Sequence, residues 1–280
     1  MDLKKILLFF YKKLSYIYVF IFGRKKMQFL NDIFLSLTLN AKGYKNYGSF
    51  KETGEEKFIK KISDDLFFCI DIGANIGKYT ELLLKETAAK IIAFEPLPDA
   101  YLDLKKIELS NLNRLKVFNQ AIGEKNEFLE LNYASRKSEK ASFSDHLEKI
   151  SFYDFHNNKK IKMKILTLDT FIEENLDDFN QQKIDLIKID TEGFELEVIK
   201  GATKTIKKMS PKYIQLEFNW HQLFKKQNMY SFSEFLKNYE VFQILPYGND
   251  LVKVNVTRPE ANIYHLSNFV YIRKDISSKF

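Results

Sequence analysis

The run "DIGANIG", residues 71–77, sets an aspartate at the end of an apolar stretch and follows it with two of the chain's ten glycines and an asparagine. Glycine there permits tight backbone turns and lets a ligand come close to main-chain N–H groups. The order of residues is neither the G-x-G-x-x-G of dinucleotide-binding turns nor the Gly-Lys-Ser/Thr ending of a phosphate loop, so a ligand without phosphate fits better. A second carboxylate, Glu95, closes the next apolar stretch, "KIIAFE", 24 positions after Asp71. A carboxylate so placed can accept hydrogen bonds from both hydroxyls of a ribose. S-adenosylmethionine answers this description: Asp71 would serve its ammonium, directly or through water, the turn with Gly73, Ala74, Asn75 and Gly77 would pass beside it, and Glu95 would hold the ribose. The second acid also fits NAD, and only the two motifs together discriminate. The plainer readings are a turn cap for Asp71 and a solvent-facing acid for Glu95.

A second constellation lies in "KIDTEGFE" and "EFNWH". Lys188, Asp190 and Glu192 share strand parity and would project to one side as a strand runs into its loop. A lysine inside an apolar strand needs pairing, and the adjacent carboxylates provide it, either as a structural ion pair or as part of a site. Asp190 and Glu192 would position the methionyl group, act as base, or bind a hard divalent cation together with Glu217. Glu217 ends another apolar run, and His221 follows four residues later at the expected rim, where an imidazole suits proton transfer. The plainer reading of His221 is a packing or surface residue. His146 and His156 stand in a polar stretch and read as solvated or as substrate contacts.

The elements that must position these groups alternate. "LFFCIDI", "KIIAFE", "LKVFN", "KIDLIKID" and "YIQLEF" are short apolar runs separated by helix-period segments, over about 76–86, 98–110 and 194–208. Such alternation demands an α/β fold with a mainly parallel sheet covered by helices on both faces, and function then belongs at the carboxyl ends of the strands. "EFLELNY" and "IKMKILTL" read as an antiparallel pair bracketing a Ser- and Lys-rich insertion at 134–160. "EVFQILPY" and "NFVYIRK" supply two more strands.

Composition bounds the rest. The 280 residues, 45% of them hydrophobic with five prolines, can bury a sizeable core. One cysteine, Cys69 inside an apolar run, excludes an intramolecular disulfide framework and a Cys-rich zinc site. The net charge of +7 is concentrated in residues 1–26, which carry seven basic side chains against one acidic; the remaining 254 residues hold 37 basic and 36 acidic ones. A nucleic-acid groove needs its basic patch in the folded body, so that partner is excluded. In the terminal segment lysine pairs alternate with apolar and aromatic blocks too short to span a membrane. The segment reads either as a helix lying in the headgroup layer of an anionic membrane or as one packed on protein, the main domain or an oligomer partner, with an uninterrupted membrane span as the third reading. Glycines 43, 48 and 54 suggest a boundary near residue 50, giving a basic and aromatic helical segment over 1–50 and a main domain over 51–280.

The segments "FFCIDIGANIGKYT", "IIAFEPLPDAYLDLKKI", "VFNQAIGE", "ILTLDTFI", "IDLIKIDTEGFELEVIKGA" and "IQLEF" occur in the order seen in the FkbM family of S-adenosylmethionine-dependent methyltransferases, which the chain resembles over about residues 50–220. The resemblance implies a Rossmann-like class I methyltransferase sheet of seven strands with an antiparallel hairpin at one edge, and O-methylation of a hydroxyl, often on a sugar or a secondary metabolite; with the basic terminal segment it makes a sugar, glycan or glycolipid precursor the expected acceptor. By the same match Asp71, Gly73, Asn75, Gly77 and Glu95 would hold cofactor and Ala121 would sit near the adenine. His221 or Asp190 would then deprotonate the acceptor. The corresponding location is the cytoplasm of a bacterium, peripheral to the inner face of its membrane. A nicotinamide-dependent oxidoreductase and a non-catalytic, membrane-tethered binding protein are the alternatives.

Overall fold

The computed structural model describes residues 3–133, 141–143, 159–175, 183–248 and 250–280. His146, His156 and nearly all of the 134–160 insertion lie outside them. Contacts divide the chain between Lys42 and Gly43, so residues 43–50 fold with the larger unit. The first unit holds two helices, α1 (Leu3–Phe22) and α2 (Gln28–Ala41). No described helix is long and apolar enough to cross a membrane.

The second unit begins with two short helices, α3 (Phe50–Thr53) and α4 (Glu55–Ile62), and continues through β1 (Phe68–Ile72), α5 (Lys78–Glu86), β2 (Lys90–Phe94), α6 (Pro98–Leu109) and β3 (Leu115–Phe118). Next come β4 (Ala121–Ile122), β5 (Glu127–Tyr133), β6 (Lys159–Leu166), α7 (Leu168–Glu174) and β7 (Leu186–Ile189). The chain closes with α8 (Glu195–Lys200), α9 (Thr203–Met209), β8 (Tyr213–Phe218), α10 (Trp220–Phe224), α11 (Met229–Phe235), β9 (Tyr239–Ile244), β10 (Leu251–Lys253) and β11 (Ser267–Arg273).

The main sheet runs β10-β9-β11-β8-β7-β1-β2-β3. Five strands, β3, β2, β1, β7 and β8, are parallel. β11 is antiparallel to both β8 and β9. The seven expected strands are therefore present, and β10 adds a short antiparallel eighth at the edge. All five residues of β1 are buried, as a strand covered on both faces requires. On one face Phe58, Leu83 and Leu104 from α4, α5 and α6 pack with Cys69, Ala93 and Val117. On the other, Phe171 of α7 meets the rings of Phe94 and Phe118 at 4.7 and 4.8 Å. The expected antiparallel pair is β5 and β6, which form a separate small sheet with β4.

The helix expected over 194–208 is two helices broken at Gly201. A Cβ on Gly201 would lie 1.9 Å from the carbonyl oxygen of Gly123, so the break lets two backbones touch. The chain moves outward from β1 to β2 and β3, then returns to β7 on the other side of β1. That reversal opens a crevice at the carboxyl ends of β1 and β7, and it aligns Asp71 with Lys188 in register.

Candidate active site

The turn leaving β1 is held by its own amides. Gly73 and Ala74 both donate to the carbonyl of Phe94 at 3.0 Å, and Gly77 donates to the carbonyl of Ala74 at 2.9 Å. Asn75 donates to Glu95 Oε2 at 2.8 Å. With those donors engaged, the turn offers a ligand its surface and carbonyls, and no ring of free N–H groups for a phosphate. Gly73 has φ +83°, and a Cβ there would lie 1.8 Å from the carbonyl oxygen of Asp190. Glycine at this position is what allows the β1 turn and the β7 loop to meet.

Asp71 is 1% exposed. It accepts from the Thr80 hydroxyl at 2.7 Å. Burial pushes its carboxyl up to about 6 against the opposing pull of Thr80 and Lys188. Glu95, 5% exposed, is not the solvent-facing acid of the plainer reading. Its Oε1 accepts from the Leu97 amide at 2.7 Å while Oε2 takes that of Asn75. Burial raises it to about 7 despite these two amides. Both acids line a cavity of about 490 Å³, as do Gly73, Ala74, Asn75 and Ala121, though not Gly77, which caps α5 at φ +93°.

The same cavity reaches Lys188, Asp190, Glu192 and Glu217. Lys188 is 2% exposed, with Nζ 3.1 Å from Asp190 Oδ2 and 5.4 Å from the centre of the Tyr79 ring. Burial alone would push its ammonium down, but the carboxylates of Asp190, Glu55 and Glu217 together hold it above the usual lysine range. Beneath it a buried chain of polar groups runs from Tyr79, whose hydroxyl donates to Gln215 at 2.6 Å, to Gln215, whose amide donates to Glu55 at 2.7 Å. The Thr53 hydroxyl gives Glu55 a second donor at 2.7 Å. The Glu217 carboxyl is driven well above the usual carboxylate range by burial first and by the charges of Asp190 and Glu192 next. Asn219 donates to it at 2.5 Å. Oxygens of Asp190, Glu192 and Glu217 lie within 4.8 Å of one another, close enough to share a hard divalent cation.

The loop carrying Asp190 and Glu192 is pinned from behind. Glu195, fully buried, accepts from the Thr191 amide at 3.0 Å and from the Thr191 hydroxyl and the Gly193 amide at 3.1 Å, and its other oxygen accepts from Gln222 at 2.6 Å. These bonds stabilise a turn with φ +50° at Glu192 and +97° at Gly193.

His221, expected at the rim, is fully buried and does not line the cavity. The cause is local. Asn219 caps α10, accepting from the His221 amide at 2.8 Å, and the Asn219 amide in turn donates to Gln222 Oε1 at 2.8 Å. This capping box turns the ring inward, leaving Nε2 3.4 Å from Glu192 Oε2. Burial pushes the imidazole down to about 4, so it is neutral at physiological pH.

Sequence reasoning missed the opposite wall. Asn46, Tyr47, Phe50, Thr53 and Glu55 line the cavity from one side, and Leu266 and Asn268 close it from the start of β11. Only Glu55 carried a signal, as an acid directly after Gly54 at the head of an amphipathic helix. The apolar portion, Ile122, Leu131, Ala141, Phe143 and Phe194, lies toward Ala121 and suits a planar base.

Residues 71–245 match the Methyltransferase FkbM domain. The chain is similar to Methyltransferase 1 of Beauveria bassiana (strain ARSEF 2860), 26% identical over 165 residues, which cover 52% of this chain and 65% of that protein. It is also similar to Methyltransferase sdnD of Sordaria araneosa, 28% identical over 156 residues, covering 48% of this chain and 60% of that one. The matched region thus spans less than two thirds of either relative. Among solved structures, it is similar to precorrin-6y C5,15-methyltransferase from Geobacter metallireducens GS-15, with a TM-score of 0.40 and 13% identity over 78% of this chain and 86% of that one.

Proposed function

The chain belongs to the FkbM methyltransferase family, and on that premise we propose that it transfers a methyl group from S-adenosylmethionine to a hydroxyl of a sugar, glycan or glycolipid precursor. The observation that supports this most is the meeting of two acid pairs in one cavity: Asp71 and Glu95 beside the glycine turn, and Asp190 and Glu217 beside Lys188.

The donor set fits S-adenosylmethionine. Asp71 would hold the ammonium end, Glu95 the ribose, and the apolar lining around Ala121 the adenine. The cavity volume falls in the ~300–1,000 Å³ range of small-molecule sites. The engaged amides of the turn argue against the pyrophosphate of NAD. When bound, this cofactor supplies a methyl on a sulfonium, already a good leaving group.

The protein's own task is then to align the acceptor and remove its proton. Glu217 accepts that proton: it lines the cavity, and its raised pKa brings it closer to a hydroxyl than an ordinary carboxylate. Lys188 holds the neighbouring negative charge in place, and Asp190 positions the methionyl group or the acceptor. The groups on the opposite wall, Asn46, Tyr47 and Asn268, offer amide and hydroxyl partners of the kind a polyol needs.

Calorimetry with S-adenosylmethionine, S-adenosylhomocysteine and NAD tests the cofactor, and transfer of a labelled methyl to a cell-surface glycan extract tests the acceptor. Binding of NAD without the other two overturns the cofactor assignment; label appearing on protein or nucleic acid in place of glycan overturns the acceptor.

A further inference from the structure

Helices α1 and α2 expose apolar surface on a scale that a free helix in water does not carry. In α1 Phe10, Leu14 and Ile17 are 63%, 69% and 59% exposed, and their spacing of four and three puts them in one stripe. In α2 Phe29 and Leu37 are 73% and 60% exposed. Among the described residues the two helices meet at the end where they join: the Tyr18 hydroxyl donates to Asn31 at 2.7 Å, Asn31 donates to the Phe22 carbonyl at 2.9 Å, and Phe22 meets Phe34 edge-on at 6.2 Å. Away from that end Phe9, Phe10 and Leu14 of α1 and Leu35 and Leu37 of α2 are exposed, while Leu39 near the end of α2 is buried. Contiguous surface of this kind marks an interaction site.

Charge decides the occupant. Lys12 and Lys13 interrupt α1, and Arg24, Lys25 and Lys26 follow it, all exposed. With Lys4 and Lys5 they stand against a single acid in the first 26 residues. Two copies stacked along such a segment would bring like charges together. An anionic bilayer offers both complements at once, phosphates for the basic groups and acyl chains for the stripe, while phenylalanine and tyrosine rings suit the boundary between them. Lysines in mid-helix and the lack of a sufficiently apolar span hold α1 in the plane of the surface.

We propose that α1 and α2 form a docking element for the anionic bilayer surface, with Phe10, Leu14 and Ile17 set into the acyl boundary and Lys12, Lys13, Arg24, Lys25 and Lys26 against lipid phosphates. The proposal is independent of methyl transfer.

Co-sedimentation of the full chain with phosphatidylcholine vesicles, with and without phosphatidylglycerol, tests it, alongside light scattering for oligomeric state. The expected result is binding to the anionic vesicles only, weakened about tenfold or more by the pair Lys12→Glu and Lys13→Glu and by high salt. The set Phe10→Ser, Leu14→Ser and Ile17→Ser abolishes binding while the thermal unfolding midpoint of the larger unit stays in place. Absence of vesicle binding, or equal binding to both vesicle types, overturns the proposal. So does a vesicle-independent dimer that the serine set converts to monomer, which would make the face an interface between copies.

Discussion

The two acid pairs that meet in the cavity are satisfied in opposite ways. Asp71 and Glu95 take their hydrogen bonds from neutral donors, the Thr80 hydroxyl and the amides of Asn75 and Leu97. Glu95 fixes the shape of the β1 turn and Asp71 ties β1 to α5; burial raises both carboxyls, as it does first for Glu217. Glu217 also has a neutral donor in Asn219, but it and Asp190 stand among charges, with Lys188 on one side and Glu192 on the other. On the proposed function, the first pair would hold the shape that the cofactor fits and the second the charge that the acceptor's proton relieves. Sheet topology makes both possible, because β1 and β7 are neighbours whose chain connections leave in opposite directions.

Gly73 is where the two sides touch, and its replacement is expected to have the largest effect. Gly73→Ala places a Cβ 1.8 Å from the Asp190 carbonyl at φ +83°. The left-handed backbone alone costs about 1–2 kcal/mol for a residue with a side chain. Cofactor binding and turnover should both disappear and the unfolding midpoint fall by several degrees, measured by calorimetry and thermal denaturation. Retention of either function would show that the pairs are not mechanically joined at this residue.

Glu217→Gln separates them. Turnover should fall ~10²–10⁴-fold, the usual cost of losing a general base, while S-adenosylmethionine affinity changes little. In the parent, activity should rise with pH through a limb above the ordinary carboxylate range, because the ionised form works and the folded pKa is raised. That limb should be missing from the residual activity of the variant. A loss of cofactor affinity equal to the loss of turnover would move Glu217 into the binding pair.

Glu95→Gln should act the other way, weakening cofactor binding about tenfold or more through the loss of a charged acceptor, with a smaller change in turnover at saturation. It also carries a stability signature. Its folded pKa of about 7 lies above the unfolded value near 4.5, so the protonated form is favoured by folding. That contribution is complete below pH 4.5 and is lost as pH rises through 7, on the order of 3 kcal/mol. Thermal melts from pH 5 to 8 should decline less steeply in the variant, and identical slopes would mean Glu95 is better solvated than its burial indicates.

Much of the geometry around Asp71 and Glu95 was legible in the sequence because its signals are local. A carboxylate at a strand end, and Gly and Asn where the backbone turns left-handed, all fall between Asp71 and Glu95. The charged side was only half legible. Lys188 and Asp190 are two residues apart, but the buried groups beneath them are brought in by folding: Tyr79 lies 136 residues from Gln215, and Gln215 lies 160 from Glu55. Glu195, two residues beyond the "DTEG" run, carried no signal of its own and is the pin behind the loop. The break at Gly201 was hidden because glycine reads equally as a tolerated helix residue, and only the approach of Gly123 shows what it is for.

His221 gives the smallest expected change in turnover and the finest test of the comparison. From sequence it belonged with the proton-handling groups, four residues beyond Glu217, yet the cap formed by Asn219 and Gln222 buries it behind Glu192. Its folded pKa of about 4 is below the ordinary 6.5, so folding favours the neutral ring. The resulting stability is present above pH 6.5 and is lost as pH falls through 4, the reverse of the Glu95 contribution over much of the same window. His221→Gln should therefore lower the unfolding midpoint at pH 7.5 by a few degrees and reduce its fall on acidification. Turnover should stay within about tenfold of the parent, well short of the loss of a base. A loss of hundredfold or more, with the rising limb of the pH–activity profile shifted, would return His221 to the chemistry and make Glu192 its link to the cavity.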